Sequence, residues 1–104
     1  MKEVTVQELK SMIDNNVEFQ LIDVREPFEY EVSNLNGLNI PLSGILIEAE
    51  QVSKDIPVIM QCRSGKRSAQ AVMLLEQQGY TNLANLHGGI LAWKEDIDPE
   101  LDVY

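Results

Sequence analysis

One stretch of this chain concentrates its chemistry: Cys62-Arg63-Ser64-Gly65-Lys66-Arg67-Ser68. It holds the only cysteine and three of the eight basic residues, in a chain that carries 17 acids. Pro-Val-Ile-Met-Gln (57–61) before it reads as a buried strand, and residues 64–78 after it read as a helix. A cysteine placed between a strand end and a helix N-terminus feels the positive end of the helix macrodipole. Arg63, Lys66 and Arg67 add to that field, and both effects favour thiolate, the nucleophilic form, over thiol. Ser64 and Gly65 let the backbone curl so that several N–H groups converge into a nest able to hold an anion or a charged sulfur. Ser68 is placed to cap the helix or to give its hydroxyl to the loop. The expected chemistry is a reachable, ionised nucleophile in the floor of an anion cradle. The competing reading, a lone cysteine serving as a small buried hydrophobe, explains neither the basic cluster nor the position at a helix start.

Elements must exist to place that loop. Thr5-Val6-Gln7-Glu8 has the form of a capping box and opens a helix with Val6, Leu9, Met12 and Ile13 on one face. Residues 19–24 form an apolar run of strand length. Pro27 suits the first position of a short helix ending near Val32. Asn36-Gly37 marks a turn and Leu38-Asn39-Ile40 a short strand. Ser43 is placed to cap a helix over Ile45, Leu46, Ile47 and Ala49. The helix over 64–78 turns Ala69, Val72, Met73 and Leu75 inward and closes at Gly79. Residues 82–86 form the last strand, and Gly88-Gly89 leads into a helix carrying Ile90, Leu91 and Trp93. Strands alternate with helices, and the strands are apolar on both faces. Both features indicate an α/β fold with a mainly parallel sheet covered by helices on its two sides. In such sheets the site lies beyond the carboxyl ends of the strands, here after Val24 and after Gln61.

Composition narrows the function. The chain has 104 residues and a net charge of −9, enough for one domain spanning 1–104 with its own core. So acidic a surface repels phosphate backbones and anionic lipid, which argues against nucleic-acid and membrane partners. One cysteine forms no internal disulfide, and one cysteine with one histidine excludes the cysteine-rich zinc frameworks. No apolar run approaches the ~20 residues that cross a bilayer, and the N-terminus lacks a signal-peptide core. The expectation is a cytoplasmic monomer in a reducing compartment, where a lone thiol stays available for chemistry.

The motifs resemble a known family. Cys62-Arg63-Ser64-Gly65-Lys66-Arg67-Ser68 resembles the active-site loop of the rhodanese sulfurtransferases. Leu21-Ile22-Asp23-Val24-Arg25-Glu26 is similar to that family's first-strand motif, Asn39-Ile40-Pro41-Leu42 to its second, and Leu86-His87-Gly88-Gly89-Ile90-Leu91-Ala92-Trp93 to its C-terminal motif. The resemblance runs in order along nearly the whole chain and is to the single-domain members. It implies a rhodanese-like α/β fold around a central, mainly parallel five-stranded sheet. It also implies transfer of sulfane sulfur through a persulfide on Cys62, with no cofactor. The family's usual Gly-His-Ile-Pro-Gly-Ala stretch is replaced by Ser33-Asn34-Leu35-Asn36-Gly37-Leu38, so a local change is expected in that connection.

On this reading Cys62 is the catalytic residue. It takes the outer sulfur of a small anionic donor such as thiosulfate and passes it to cyanide or a thiol, including a protein thiol, with ping-pong kinetics. Arg63, Ser64, Gly65, Lys66, Arg67 and Ser68 bind the substrate, through backbone N–H groups and through cations that draw in the anion. Asp23 is expected to support the loop by accepting its N–H groups, and Arg25 to add to the field or pair with an acid; the plainer alternative is a structural hydrogen bond and a surface ion pair with Glu26 or Glu29. Cysteine phosphatases and arsenate reductases use a similar cradle with a longer spacing, whereas only four residues separate Cys62 from Arg67. A persulfide relay between proteins, or a redox or binding module, is the other alternative. His87 reads as a turn or surface residue, since an ionised thiol needs no general base, and Trp93 reads as core. The acids of 95–102 read as a solvated, frayed tail without a metal. Ile45-Leu46-Ile47 reads as core before partner surface.

Overall fold

The computed structural model describes residues 1–104. Its strands are β1 (Glu3–Val4), β2 (Gln20–Asp23), β3 (Leu38–Asn39), β4 (Val58–Gln61) and β5 (Leu83–Leu86). Its helices are α1 (Val6–Asp14), α2 (Pro27–Val32), α3 (Lys66–Gln77) and α4 (Gly89–Asp96). The strands form one sheet in the order β1-β5-β4-β2-β3, with every neighbouring pair parallel.

Strand alternation divides the core in two. Val58 and Met60 of β4, with Cys62 just beyond it, join a cluster that includes Ala71, Val72 and Leu75 of α3. Ile59 points the other way, into a cluster with Val6 and Leu9 of α1, against which Ala92 and Trp93 of α4 pack. A central strand covered on both faces must be apolar throughout, which is why β4 lacks the polar–apolar alternation of a half-exposed strand.

Local chemistry sets the element ends. At α1, the Glu8 N–H donates to Thr5 Oγ1 (3.1 Å) and the Thr5 N–H donates to Glu8 Oε1 (3.0 Å). The Thr5 backbone N–H first, and the Thr5 side chain second, hold the Glu8 carboxyl below its ordinary range. Pro27 is the first residue of α2, as its fixed φ favours. Asn36 takes φ 66° at the turn before β3.

Several expectations need correction. The two-residue β1 is a short added edge; it pairs with β5 although it carries no apolar run. Residues 45–49 form no α-helix. The segment is built from single turns, with 3₁₀ geometry at Leu42–Gly44 and Ala49–Gln51, and Ser43 caps nothing. Gly44 beside the β-branched Ile45 and Ile47 gives weak helix propensity there. Ile45 is buried, while Leu46 and Ile47 face solvent. On α3 the buried residues are Ser68, Ala71, Val72 and Leu75. Met73 lies one position past that stripe, about 100° round the helix, and is exposed, as is Ile13 on α1. The tail after α4 is tied down rather than frayed. The Ser33 hydroxyl donates to the Asp102 carbonyl, Lys94 donates to the carbonyls of Pro99 and Leu101, and Tyr104 meets Phe28 edge-on with ring centroids 4.8 Å apart.

Candidate active site

The loop from Cys62 to Gly65 joins β4 to α3 at the carboxyl edge of the sheet. Gly65 precedes the helix with φ 104°, in the left-handed region, which turns its own N–H back toward the strand end. That N–H donates to Cys62 Sγ at 3.1 Å. The Ser68 hydroxyl lies 3.3 Å from the same sulfur and 2.5 Å from Asn85 Oδ1. The Asn85 amide nitrogen donates to the Gly65 carbonyl (3.0 Å) and to Glu3 Oε2 (3.3 Å). An amide N–H on the sulfur, at the start of a 12-residue helix, makes a field that suits negative charge there.

The loop is also held from outside. The Ile90 N–H donates to the Cys62 carbonyl (2.9 Å) and the Leu91 N–H to the Arg63 carbonyl (3.1 Å). Gln61 Nε2 donates to the Cys62 carbonyl as well (3.0 Å). Gly89 is where the last helix comes closest: a Cβ there would lie 2.5 Å from the carbonyl oxygens of both Cys62 and Arg63. No other residue type fits that approach.

The cations are less free than the sequence suggested. Arg67 makes a two-pronged ion pair with Glu29 of α2, at 2.7 and 3.0 Å. The Arg67 guanidinium holds the Glu29 carboxyl below its ordinary range; the Glu26 N–H adds to this and burial opposes it. Glu29 in turn raises Arg67. Arg63 Nε donates to the Tyr104 carbonyl at 2.6 Å. Lys66 is exposed. Ser64, also exposed, lines with Gly65 and Lys66 a shallow recess of about 430 Å³ that reaches Asn85 and His87.

Arg25 pairs with an acid, as expected, but the acid is Asp23, which is thereby turned away from the loop. Both side chains are fully buried and pair with each other at 2.8 Å. Asp23 also accepts the Arg25 backbone N–H, and Arg25 donates on to the Ser33 carbonyl. Asp23 accepts no loop N–H, and Arg25 pairs with neither Glu26 nor Glu29 side chain. Two residues apart at a strand end, they lock β2 to the connection after α2. That connection, where the family histidine is missing, is also held by Tyr30 donating to the Gly37 carbonyl (2.7 Å) and Asn34 donating to the Tyr30 carbonyl (3.1 Å).

Cys62 itself is 1% exposed, which corrects the expectation of an open thiol. A recess of about 290 Å³ is lined by Val24, Glu26, Leu42, Ser43 and Arg67, and Val24 belongs to the same buried cluster as Cys62. His87 is exposed, with Nδ1 3.5 Å from Glu3 Oε1.

Sequence reasoning missed Glu29 and Asn85. Glu29 left no clear signal among 17 acids. Asn85 left one: it is a polar residue inside the otherwise apolar, fully buried β5, where an amide must find partners.

The rhodanese-like domain family matches residues 5–96 of this sequence. The chain belongs to that family. A sulfurtransferase of Allochromatium vinosum is 36% identical over 94 residues, covering 89% of this chain and 88% of that protein. A probable adenylyltransferase/sulfurtransferase of Mycobacterium tuberculosis is 29% identical over 97% of this chain, which spans only 26% of that relative's length. The crystal structure of a rhodanese-like domain protein from Staphylococcus aureus superposes with a TM-score of 0.85 at 30% identity, covering 100% of this chain and 99% of that one. The rhodanese-like fold, with its all-parallel five-stranded sheet between helices, is therefore shared with solved relatives. No helix is long and apolar enough to cross a membrane.

Proposed function

We propose that this chain is a sulfurtransferase that carries sulfane sulfur as a persulfide on Cys62. The observation that carries the reading is the sulfur at the start of α3, with the Gly65 N–H donating to it at 3.1 Å. Relatives named as sulfurtransferases support it. The Cys62 thiolate attacks the outer sulfur of thiosulfate or another sulfane donor. A new S–S bond forms, the donor's own S–S bond breaks, and sulfite leaves with the electron pair. An acceptor, cyanide or a thiol, then attacks the outer sulfur of the persulfide, and Cys62 departs as thiolate.

In the proposal the N–H groups of residues 63–68 take the charge of the terminal sulfur, and Arg67, Lys66 and Arg63 draw the anionic donor toward the loop. The donor enters by the recess beside Arg67. Because Cys62 is 1% exposed, attack requires the rim to open, and the Arg67–Glu29 pair is the contact that must shift. The close spacing of Cys62 and Arg67 sizes the cradle for a single sulfur rather than a tetrahedral phosphate. The chain acts as a cytoplasmic monomer of one domain.

A relay that takes sulfur from one protein and gives it to another uses the same loop. Two observations favour it: the chain matches only 26% of a longer adenylyltransferase/sulfurtransferase, and Leu46 and Ile47 are exposed in the segment that follows Leu42 and Ser43 of the rim.

The test is sulfur transfer by wild type beside Cys62→Ser, with thiosulfate and protein persulfide donors. Transfer is expected to vanish in the variant while its far-UV spectrum is unchanged; retained transfer overturns the proposal. Fast exchange with the protein donor and slow turnover of thiosulfate favours the relay.

A further inference from the structure

A hydroxyl has one proton, and Ser68 faces two groups that compete for it. Its Oγ lies 2.5 Å from Asn85 Oδ1 and 3.3 Å from Cys62 Sγ. The Asn85 amide cannot turn over to relieve the competition. Its nitrogen faces the Gly65 carbonyl and a Glu3 carboxylate oxygen, both acceptors only, so Oδ1 is fixed toward Ser68. An amide oxygen accepts and never donates; the Ser68 proton must point at it, which leaves lone pairs facing the sulfur. In that arrangement the sulfur is matched when it is a neutral thiol donating to Ser68. When the thiol proton leaves for water, the hydroxyl must abandon Asn85 and turn its proton to the thiolate.

We propose that Asn85 is a positioning residue that sets the ionisation of Cys62 by holding the Ser68 hydroxyl proton away from the sulfur. It opposes the Gly65 N–H and the α3 N-terminus, which favour thiolate. The proposal deepens the sulfurtransferase reading by naming what controls its nucleophile. The charged groups of the surrounding elements are Arg63, next in sequence and turned to the Tyr104 carbonyl; Arg67 of α3, paired with Glu29 of α2; the Asp23–Arg25 pair at the end of β2; exposed Lys66; and Glu3 of β1, which reaches Asn85 and His87. β5 has no ionisable side chain, and those of α4 are Lys94, Glu95 and Asp96 in its last turn. A change confined to Asn85 removes none of these charges.

The test is titration of the folded protein by thiolate ultraviolet absorbance, with Cys62→Ser as the blank. One cysteine makes the signal unambiguous, and the measurement needs neither donor nor solvent access to the sulfur. Asn85→Ala and the similarly sized Asn85→Leu, each checked for native circular dichroism, free the Ser68 proton. Both are expected to lower the ionisation midpoint by about one pH unit, the worth of one hydrogen bond. In a Ser68→Ala background the same substitutions are expected to leave the midpoint unmoved. A purely structural Asn85, acting through the Gly65 carbonyl, moves it equally in both backgrounds, and that result overturns the proposal. So does an unchanged or raised midpoint in the single variants. Sulfur transfer failing while the midpoint shifts as expected rejects the function and leaves this assignment standing.

Discussion

Two helices of this protein begin alike and serve differently. α3 and α4 each follow a buried parallel strand, and each is preceded by a glycine in the left-handed region, Gly65 at φ 104° and Gly88 at φ 77°. The α3 start presents the Gly65 N–H to the Cys62 sulfur. The α4 start spends its N–H groups on the carbonyls of Cys62 and Arg63. One helix end is directed at the sulfur of Cys62, and the other clamps the backbone that carries it. Their charges differ in the same sense. α4 has Lys94 in its last turn, where the macrodipole favours a cation. α3 opens with Lys66 and Arg67, where the macrodipole disfavours one, and part of that cost is offset by Glu29 from α2. Cations at a helix start are poor choices for stability, and the proposed anion cradle gives them a use.

The contrast breaks most sharply at the glycines. Gly89→Ala puts a Cβ 2.5 Å from two loop carbonyls at a position with φ 61°. The expected result is a displaced loop, sulfur transfer reduced by about 100-fold and roughly 3 kcal/mol lost in chemical denaturation. Gly65→Ala meets nothing nearer than 3.5 Å, so only the backbone conformation is strained. Its expected cost is about 1–2 kcal/mol, with a smaller fall in transfer. Equal effects at the two sites would show that the clamp and the cradle are not distinct.

The smallest effect concerns the rim pair. The Glu29 carboxyl is held low by Arg67 in the folded protein, so its contribution is present above the unfolded value of about 4.3–4.5 and is lost as pH falls through the folded value below that. Glu29→Gln is expected to cost about 1 kcal/mol at neutral pH, because Arg67 is part-exposed. It should also flatten the acid limb of the stability–pH curve, measured by urea unfolding from pH 7 downward. Glu8, held low by its own helix cap, keeps part of that limb in both proteins. An acid limb identical in the variant would show that the pair does not hold the start of α3.

Much of this was legible because local signals carried it. The box around Thr5, Pro27 at the head of α2 and the apolar runs of β2, β4 and β5 mark elements through interactions within a few residues. The loop after Gln61 was legible for the same reason: strand, cysteine, cations and helix are contiguous. What escaped depends on distant partners. β1 is two residues long and is a strand only because β5 runs beside it. Asp23 is the exception: its carboxylate goes to Arg25 only two residues away, a local pairing that the loop reading passed over. Glu29 meets Arg67 across 38 positions, and Asn85 meets Ser68 across 17. The burial of Cys62 is set by the packing of the elements around the loop, which no local pattern records.

That burial makes one measurement decisive. Folded wild-type protein is incubated with thiosulfate, cleared of excess donor and weighed intact by mass spectrometry, beside Cys62→Ser. The account predicts one added sulfur, located on Cys62, absent from the variant and removed by cyanide. A native protein that repeatedly gains no sulfur, although its thiol reacts freely once unfolded, would contradict it.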